Sequence, residues 1–222
     1  SEAMGTTAGV GATRAHVRIL TDDAVAASIV EATVRYDAKL RRFRFSDPRV
    51  LVQSPPDPSF DTRQNNVLPV YSPDAALVAF TRAEGWWPIR FQTDATNDTG
   101  RVALVRRSDL ATVELARASG PARTDTTWPQ WAPGTGTRYA WLAFSSARPY
   151  GHRMAPGVPL PSSCLPQGHS LCKQMWITAI DRRAAEQTPL VDPSAVPFWM
   201  PGQNATASAV SPRWTTRVIP PE

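Results

Sequence analysis

Residues 128–146, WPQWAPGTGTRYAWLAFSS, and a shorter version sixty positions earlier, residues 68–81, LPVYSPDAALVAFT, decide how this chain folds. Each reads as a strand ending in an aromatic, a proline-bearing turn, and a second strand ending in Ala-Phe. Proline fixes φ and has no amide to donate, so it marks the turn and not the ladder. A partial third copy begins at Val196 with VPFWMPG. Self-similarity of this kind is the mark of a repeat architecture, and a strand-turn-strand unit makes that architecture all-β.

Outward from these copies the chain keeps the same character. Residues 1–15 are small and polar and read as a frayed or tag-like tail, leaving 16–222 as the folded unit. HVRILT from His16 alternates as a strand does. In 22–45 the apolar positions begin at helical spacing and finish with period two. The reading favours a hairpin of SIVEATVRYD and KLRRFRFS around Ala38, with a short helix over 22–32 as the alternative. Arg41, Arg42 and Arg44 then fall on an exposed strand edge, where basic side chains block edge pairing. DPRVLVQ is a strand, and SPPDPSFDTRQNN is a loop. Residues 84–99 form a long loop with Trp86, Trp87 and Phe91. GRVALVRRSDLATVELARAS is a hairpin turning at Ser108 and Asp109, the pattern of the outer strands of a propeller blade. An insertion, 147–173, separates the second copy from its next strand, QMWITAID.

Composition agrees. The 222 residues include 22 prolines against 12 glycines and eight tryptophans, which favours many short strands joined by stiff loops over long helices. The net charge of +5 comes mostly from scattered arginines, whereas nucleic-acid binders concentrate charge, so no nucleic-acid partner is expected. No apolar run approaches the eighteen residues a membrane span needs.

At LPVYSPDAALVAFT, and at WPQWAPGTGTRYAWLAFSS followed by KQMWITAID, the chain resembles the TolB-like, WD-type β-propellers, over about 47–214. The family pattern is an aromatic or Pro-x-Trp, then Ser-Pro-Asp-Gly, a two-residue spacer and Ile-Ala-Phe, with a later strand reporting Leu-Trp or Ile-Tyr. SSARPYG, QMWITAID and DPSAVPFWMPGQ also resemble the last blades of large exported bacterial propellers likened to the hydrazine synthase alpha subunit. The resemblance implies about three to four four-stranded antiparallel blades, with signatures near 68–81, 128–146 and 196–214. A closed propeller has about four to eight blades, so it further implies part of a larger ring, with more blades or another polypeptide as partner. Two departures stand out. Ala75 takes the place of the family's turn glycine, and the second turn, APGTG, is longer. An alanine at positive φ costs roughly 1 kcal/mol relative to glycine.

Candidate chemistry is sparse. Cys164 and Cys172 flank CLPQGHSLC, a spacing that suits a disulfide and hence an oxidising, exported location. Free thiols are one alternative. A metal site of Cys164, His169 and Cys172 with His152 is another, although its spacing matches no common zinc pattern. Trp86, Trp87 and Phe91 make a stacking surface for a sugar or peptide, or pack their loop onto a blade. Arg148, Tyr150, His152 and His169 in the insertion complete the expected recognition surface. Asp57, Asp61 and Asp74 read as turn formers, since the calcium-loop pattern is absent. No nucleophile elbow, phosphate-binding glycine loop, haem motif or zinc-protease motif occurs, and no cofactor is expected. The expected function is a non-catalytic binding or scaffold module that recognises a protein or carbohydrate through loops. The alternative is the propeller part of a larger enzyme, gating a hydrolase or serving a haem or metal oxidoreductase, with its catalytic residues elsewhere. Trp131, Trp141 and Trp176 are expected to be buried between blades.

Overall fold

The computed structural model describes residues 27–55, 64–84, 100–120, 125–134, 136, 138–148, 172–204 and 207–214, and the backbone of 3–7 and 13–17. It is an all-β protein of three four-stranded antiparallel sheets. The first holds β1 (Ala3–Thr7), β2 (Thr13–Val17), β3 (Ile29–Asp37) and β4 (Arg42–Val52) in chain order. The second holds β5 (Gln64–Tyr71), β6 (Leu77–Glu84), β7 (Arg101–Arg106) and β8 (Thr112–Glu114), followed by the one-turn helix α1 (Ala116–Ser119). The third holds β9 (Thr127–Trp131), β10 (Tyr139–Ser146), β11 (Gln174–Asp181) and β12 (Phe198–Trp199), with α2 (Arg182–Glu186) between the last two strands.

The second sheet is packed on both faces, and its sequence says why. Leu77-Val78-Ala79-Phe80 and Val102-Ala103-Leu104-Val105 are unbroken apolar runs, all buried. An antiparallel strand with one wet face would alternate instead. Val78, Phe80, Ala103 and Val105 pack against Ile29, Leu51 and Val52 of the first sheet. Leu77, Ala79, Val102 and Leu104 pack against Trp131, Leu142, Phe144 and Trp176 of the third. The three sheets therefore stack face to face in chain order, as blades do.

Four differences from the sequence reading stand out. The expected tail contributes β1 and part of β2, because ladder pairing is made by backbone groups and needs no apolar side chain. The hairpin around Ala38 forms, but KLRRFRFS and DPRVLVQ are one strand, β4, which bends at Asp47 with φ of 54° where the register to β3 shifts. The third copy starts no new sheet: Phe198 and Trp199 pair with Ile177 and Trp176 as the outer strand of the third sheet. Trp131 and Trp176 are buried as expected, whereas Trp141 is 45% exposed. Alternation along β10 puts Leu142 and Phe144 toward the second sheet, so Trp141 must face away from it.

The ends of the stack differ. At one end the strands are joined by the turns 38–41, 72–76, 107–111 and 132–138. At the other, the strand ends are joined through the long stretches 53–63, 85–99 and 147–173, largely outside the described residues. Gly100 stands at this loop end because β7 starts against residues 125–127. A Cβ there would lie 2.3 Å from Asp125 Oδ1 and 2.6 Å from Thr127 Cγ2.

Candidate functional site

The turn end of the second and third sheets encloses a cleft of about 400 Å³, lined among others by Asp74, Ala75, Arg106, Arg107, Arg182 and Glu186. Its first wall is the Ser-Pro-Asp-Ala turn. The Ala75 amide donates to the Ser72 carbonyl at 2.8 Å, and the Ser72 hydroxyl donates to Asp74 Oδ1 at 2.6 Å. The Ala76 amide donates to the same carboxylate oxygen at 3.1 Å. Asp74 is thus a turn former, and Ala75 sits at φ of 56°, where the family pattern has glycine.

The second wall is the β7–β8 turn with α2 behind it. Arg106 grips Asp109 through Nε at 2.9 Å and Nη2 at 2.6 Å, and its Nη1 donates to the carbonyls of Ala185 and Gln187 at 2.8 and 2.7 Å. One guanidinium so ties the second sheet to the helix of the third. Asp181 caps that helix, accepting from the amides of Arg183 and Ala184 at 2.9 and 3.2 Å. The cap aims Arg182 across the cleft to Asp74 Oδ2 at 2.5 Å and to the Gly136 carbonyl at 3.1 Å. Arg107 turns the other way. It donates to the Ala75 carbonyl at 2.6 Å and to Glu31 Oε1 of the first sheet at 2.5 Å, where the Tyr71 hydroxyl also donates at 2.8 Å.

The charge pairing fixes the electrostatics. The Arg106 hydrogen bond holds the Asp109 carboxyl down at about 2, and the same bond raises Arg106. For Asp74, burial alone would raise the pKa. The Ser72 and Ala76 hydrogen bonds and the Arg182 charge outweigh burial and hold it below the ordinary carboxylate value. Although its volume would hold a small ligand, the cleft's three arginines are already committed to fastening one sheet to the next.

A second polar cluster lies at the loop end. Lys173 Nζ is wholly buried, 2.6 Å from Asp125 Oδ2 and 3.0 Å from Thr127 Oγ1. Arg148, expected on the recognition surface, is also buried. It donates to the Ala118 carbonyl, to the Ser119 carbonyl at 2.9 Å and to Ser146 Oγ at 3.1 Å, with its carbon over the Trp176 ring at 4.8 Å. Burial, with Arg101 adding repulsion, lowers its pKa to about 10, still charged at neutral pH. Trp86, Trp87, Phe91, Tyr150, His152, Cys164 and His169 lie outside the described residues. Cys172 is buried beside Lys173.

Of the residues that shape the cleft, Arg106 and Arg182 are not singled out in the sequence, and Asp109 reads there only as part of a hairpin turn. The only local signal was an arginine three positions before an aspartate within a turn, which is a common pairing. Among the described residues no group of His, Cys, Asp and Glu could hold a metal ion, and no helix is long and apolar enough to cross a membrane. No family model matches the chain, and no curated protein matches it.

Proposed function

We propose that the chain is a non-catalytic binding or scaffold module, a TolB-like propeller segment of an exported bacterial protein, whose partners are further blades and a protein or carbohydrate ligand. The observation that supports this reading is the difference between the two ends of the stack. Tight turns, inter-sheet contacts and the α2-bearing connection 182–197 occupy one end, and the long stretches 53–63, 85–99 and 147–173 leave from the other. A rigid scaffold with its long loops gathered on one side is how β-proteins commonly present recognition residues. On this reading Trp86, Trp87 and Phe91 supply stacking surface, and Tyr150, His152 and His169 supply polar contacts.

Glycan and peptide arrays probed with the parent chain and with a W86A/W87A/F91A variant test the proposal. The parent should bind a class of ligand, and the variant should bind it at least about tenfold more weakly while melting at the parent temperature. Equal binding by the two would overturn it, as would a catalytic turnover or a bound chromophore in the isolated chain. The same reading joins Cys164 to Cys172. In support, the described residues include no free cysteine. Alkylation in denaturant without reductant should leave the intact mass unchanged, and two added alkyl groups would remove both the bond and the argument for export.

A further inference from the structure

Arg148 is held on two of its three nitrogens and open on the third. Nε donates to Ser146 Oγ at 3.1 Å. Nη2 donates to the carbonyls of Ala118 and Ser119 and reaches Thr126 Oγ1 at 3.4 Å. The Ser146 and Thr126 hydroxyl oxygens are themselves 3.0 Å apart, which fixes the bed on which the guanidinium lies. Nothing among the described residues accepts from Nη1, and Nη1 is not closed off from solvent, although the residue as a whole is only 8% exposed. The flat faces are crowded. The Trp176 and Phe144 rings lie 4.8 and 5.5 Å from the guanidinium carbon, and a Cβ on Gly120 would stand 3.4 Å from that carbon. An incoming group therefore meets Arg148 edge-on at Nη1, which has two N–H bonds to offer.

The charges at this end of the sheets do not balance. Arg101 has Glu114 at 3.6 Å, and Lys173 has Asp125 at 2.6 Å. Arg148 has no carboxylate among the described residues, and the charge that acts on it is that of Arg101, which repels it. Carbonyl and hydroxyl oxygens hold a buried cation by their dipoles but leave its charge uncompensated, whereas buried charges are ordinarily paired. One positive charge, buried, fixed in orientation and with a free donor edge, is the arrangement that recognises an anion.

We infer that Arg148 Nη1 takes a carboxylate of the ligand bound at the loop end. A single uncompensated charge fits a singly charged carboxylate better than a phosphate monoester, which carries nearly two. The position agrees, since Arg148 follows the end of β10 at the side from which the stretches 53–63, 85–99 and 147–173 leave. Such a carboxylate belongs to a uronic acid of an acidic polysaccharide or to an acidic side chain of a protein, and Arg148 reads the chemistry the two share. The inference rests on the loop end being a recognition surface, as proposed above, and adds the charge of what is recognised there.

Thermal melts of the full chain at fixed ionic strength test this, with sodium glucuronate and N-acetylglutamate amide as probes and glucose and N-acetylglutamine amide as their neutral matches. One or both carboxylates should raise the melting temperature saturably at millimolar concentration, and the neutral compounds should not. Whichever carboxylate acts at lower concentration tells a polysaccharide source from a protein one. Arg148→Lys keeps the charge but loses the planar fork, and it should need at least about tenfold more carboxylate for the same rise. If that variant does not fold, the parent alone gives the readout. The indole N–H resonance of Trp176, whose ring lies against Arg148, should move with glucuronate or N-acetylglutamate amide, while that of Trp141, on the other face of its sheet, stays. No rise up to about 50 mM carboxylate, an equal rise with the neutral compounds, an undiminished rise in Arg148→Lys, or an unmoved Trp176 resonance overturns the inference. An array ligand that carries no carboxylate also overturns it and leaves the recognition reading standing. A carboxylate response in a chain that captures nothing on the arrays has the opposite meaning.

Discussion

The second and third sheets carry similar repeats, yet β6 and β7 of the second are buried on both faces, whereas the third leaves Trp141 and Phe198 about half exposed beside the buried Ala143 and Ile177. β6 and β7 of the second sheet offer hydrophobic residues to either side, and eight consecutive-run residues lie within the two apolar clusters that hold the stack together. β10 and β11 of the third sheet are also rich in apolar residues, and Ala140, Leu142, Phe144, Trp176 and Ile180 reach a cluster. Similar sequence patterns thus give unequal burial at the matching positions Leu77 of β6 and Trp141 of β10. Stability should follow burial and not residue type.

Alanine substitutions at repeat-equivalent positions break or sharpen this comparison most directly. Phe80 and Phe144 are both fully buried, so Phe80→Ala and Phe144→Ala should each cost about 3–5 kcal/mol in urea melts. Leu77→Ala should cost about 2–5 kcal/mol, whereas Trp141→Ala, although it removes a larger side chain, should cost no more than about 2 kcal/mol. If Trp141→Ala matched Phe144→Ala, the half-exposed Trp141 side chain would have to be covered in a way the described residues do not show.

A smaller effect tests the fastening between the two sheets. The Asp109 pKa is lowered to about 2, so Arg106 and Asp109 stabilise the fold at pH values above the ordinary aspartate range. That contribution is intact above about pH 4 and is lost as pH falls through about 2. Asp74, also lowered, adds in the same direction. The parent's melting temperature should therefore drop between about pH 4 and 2, and Asp109→Asn should flatten part of the drop. Superimposable pH profiles would show that the pair does not help to hold α2 against the β7–β8 turn. Asp109 is half open to solvent, so added salt should shrink the difference.

How much of this could be read in advance depends on range. The Leu77–Phe80 and Val102–Val105 runs could be recognised because double burial writes itself into consecutive residues. The hairpin at Ser108 and Asp109 could be recognised because a turn is local. The role of Arg148 could not: its acceptors, the carbonyls of Ala118 and Ser119, lie some thirty residues away, and a lone arginine in a loop looks the same paired or free. Period two places Trp141 opposite in sense to Leu142 and Phe144, yet it does not tell which of the two faces has a neighbour. The Phe198–Trp199 strand resembled the start of a new repeat in composition. Its pairing with β11 instead depends on how residues 187–197 return along the sheet, where the Asp181 amide donates to the Pro193 carbonyl at 3.0 Å and that of Ala195 to Ala179 at 2.8 Å. The cleft belongs to the same class, since its walls come from turns more than a hundred positions apart, as with Asp74 and Arg182.

The smallest expected effect concerns the two β-turns that open these sheets. The third sheet's turn supplies a glycine, Gly134, at φ of 98°, with nothing within 4 Å of the position a Cβ would take. The second sheet's turn places Ala75 at φ of 56°, where an L-residue meets its own backbone. Glycine there relieves that strain but has more freedom to lose on folding, and these terms oppose each other. Strain at a left-handed position is roughly 1–2 kcal/mol and the entropy term is about 0.4–1 kcal/mol, so Ala75→Gly should stabilise the chain by a few tenths to about 1 kcal/mol. For a chain of this size that is a rise in melting temperature of no more than about 4 °C. Gly134→Ala should move the same distance in the other direction, because it has the strain to gain and no contact to make. A lower melting temperature for Ala75→Gly would mean that the Ala75 methyl, which packs against the cluster of Tyr71 and Val78, contributes more by its contacts than it costs by its φ.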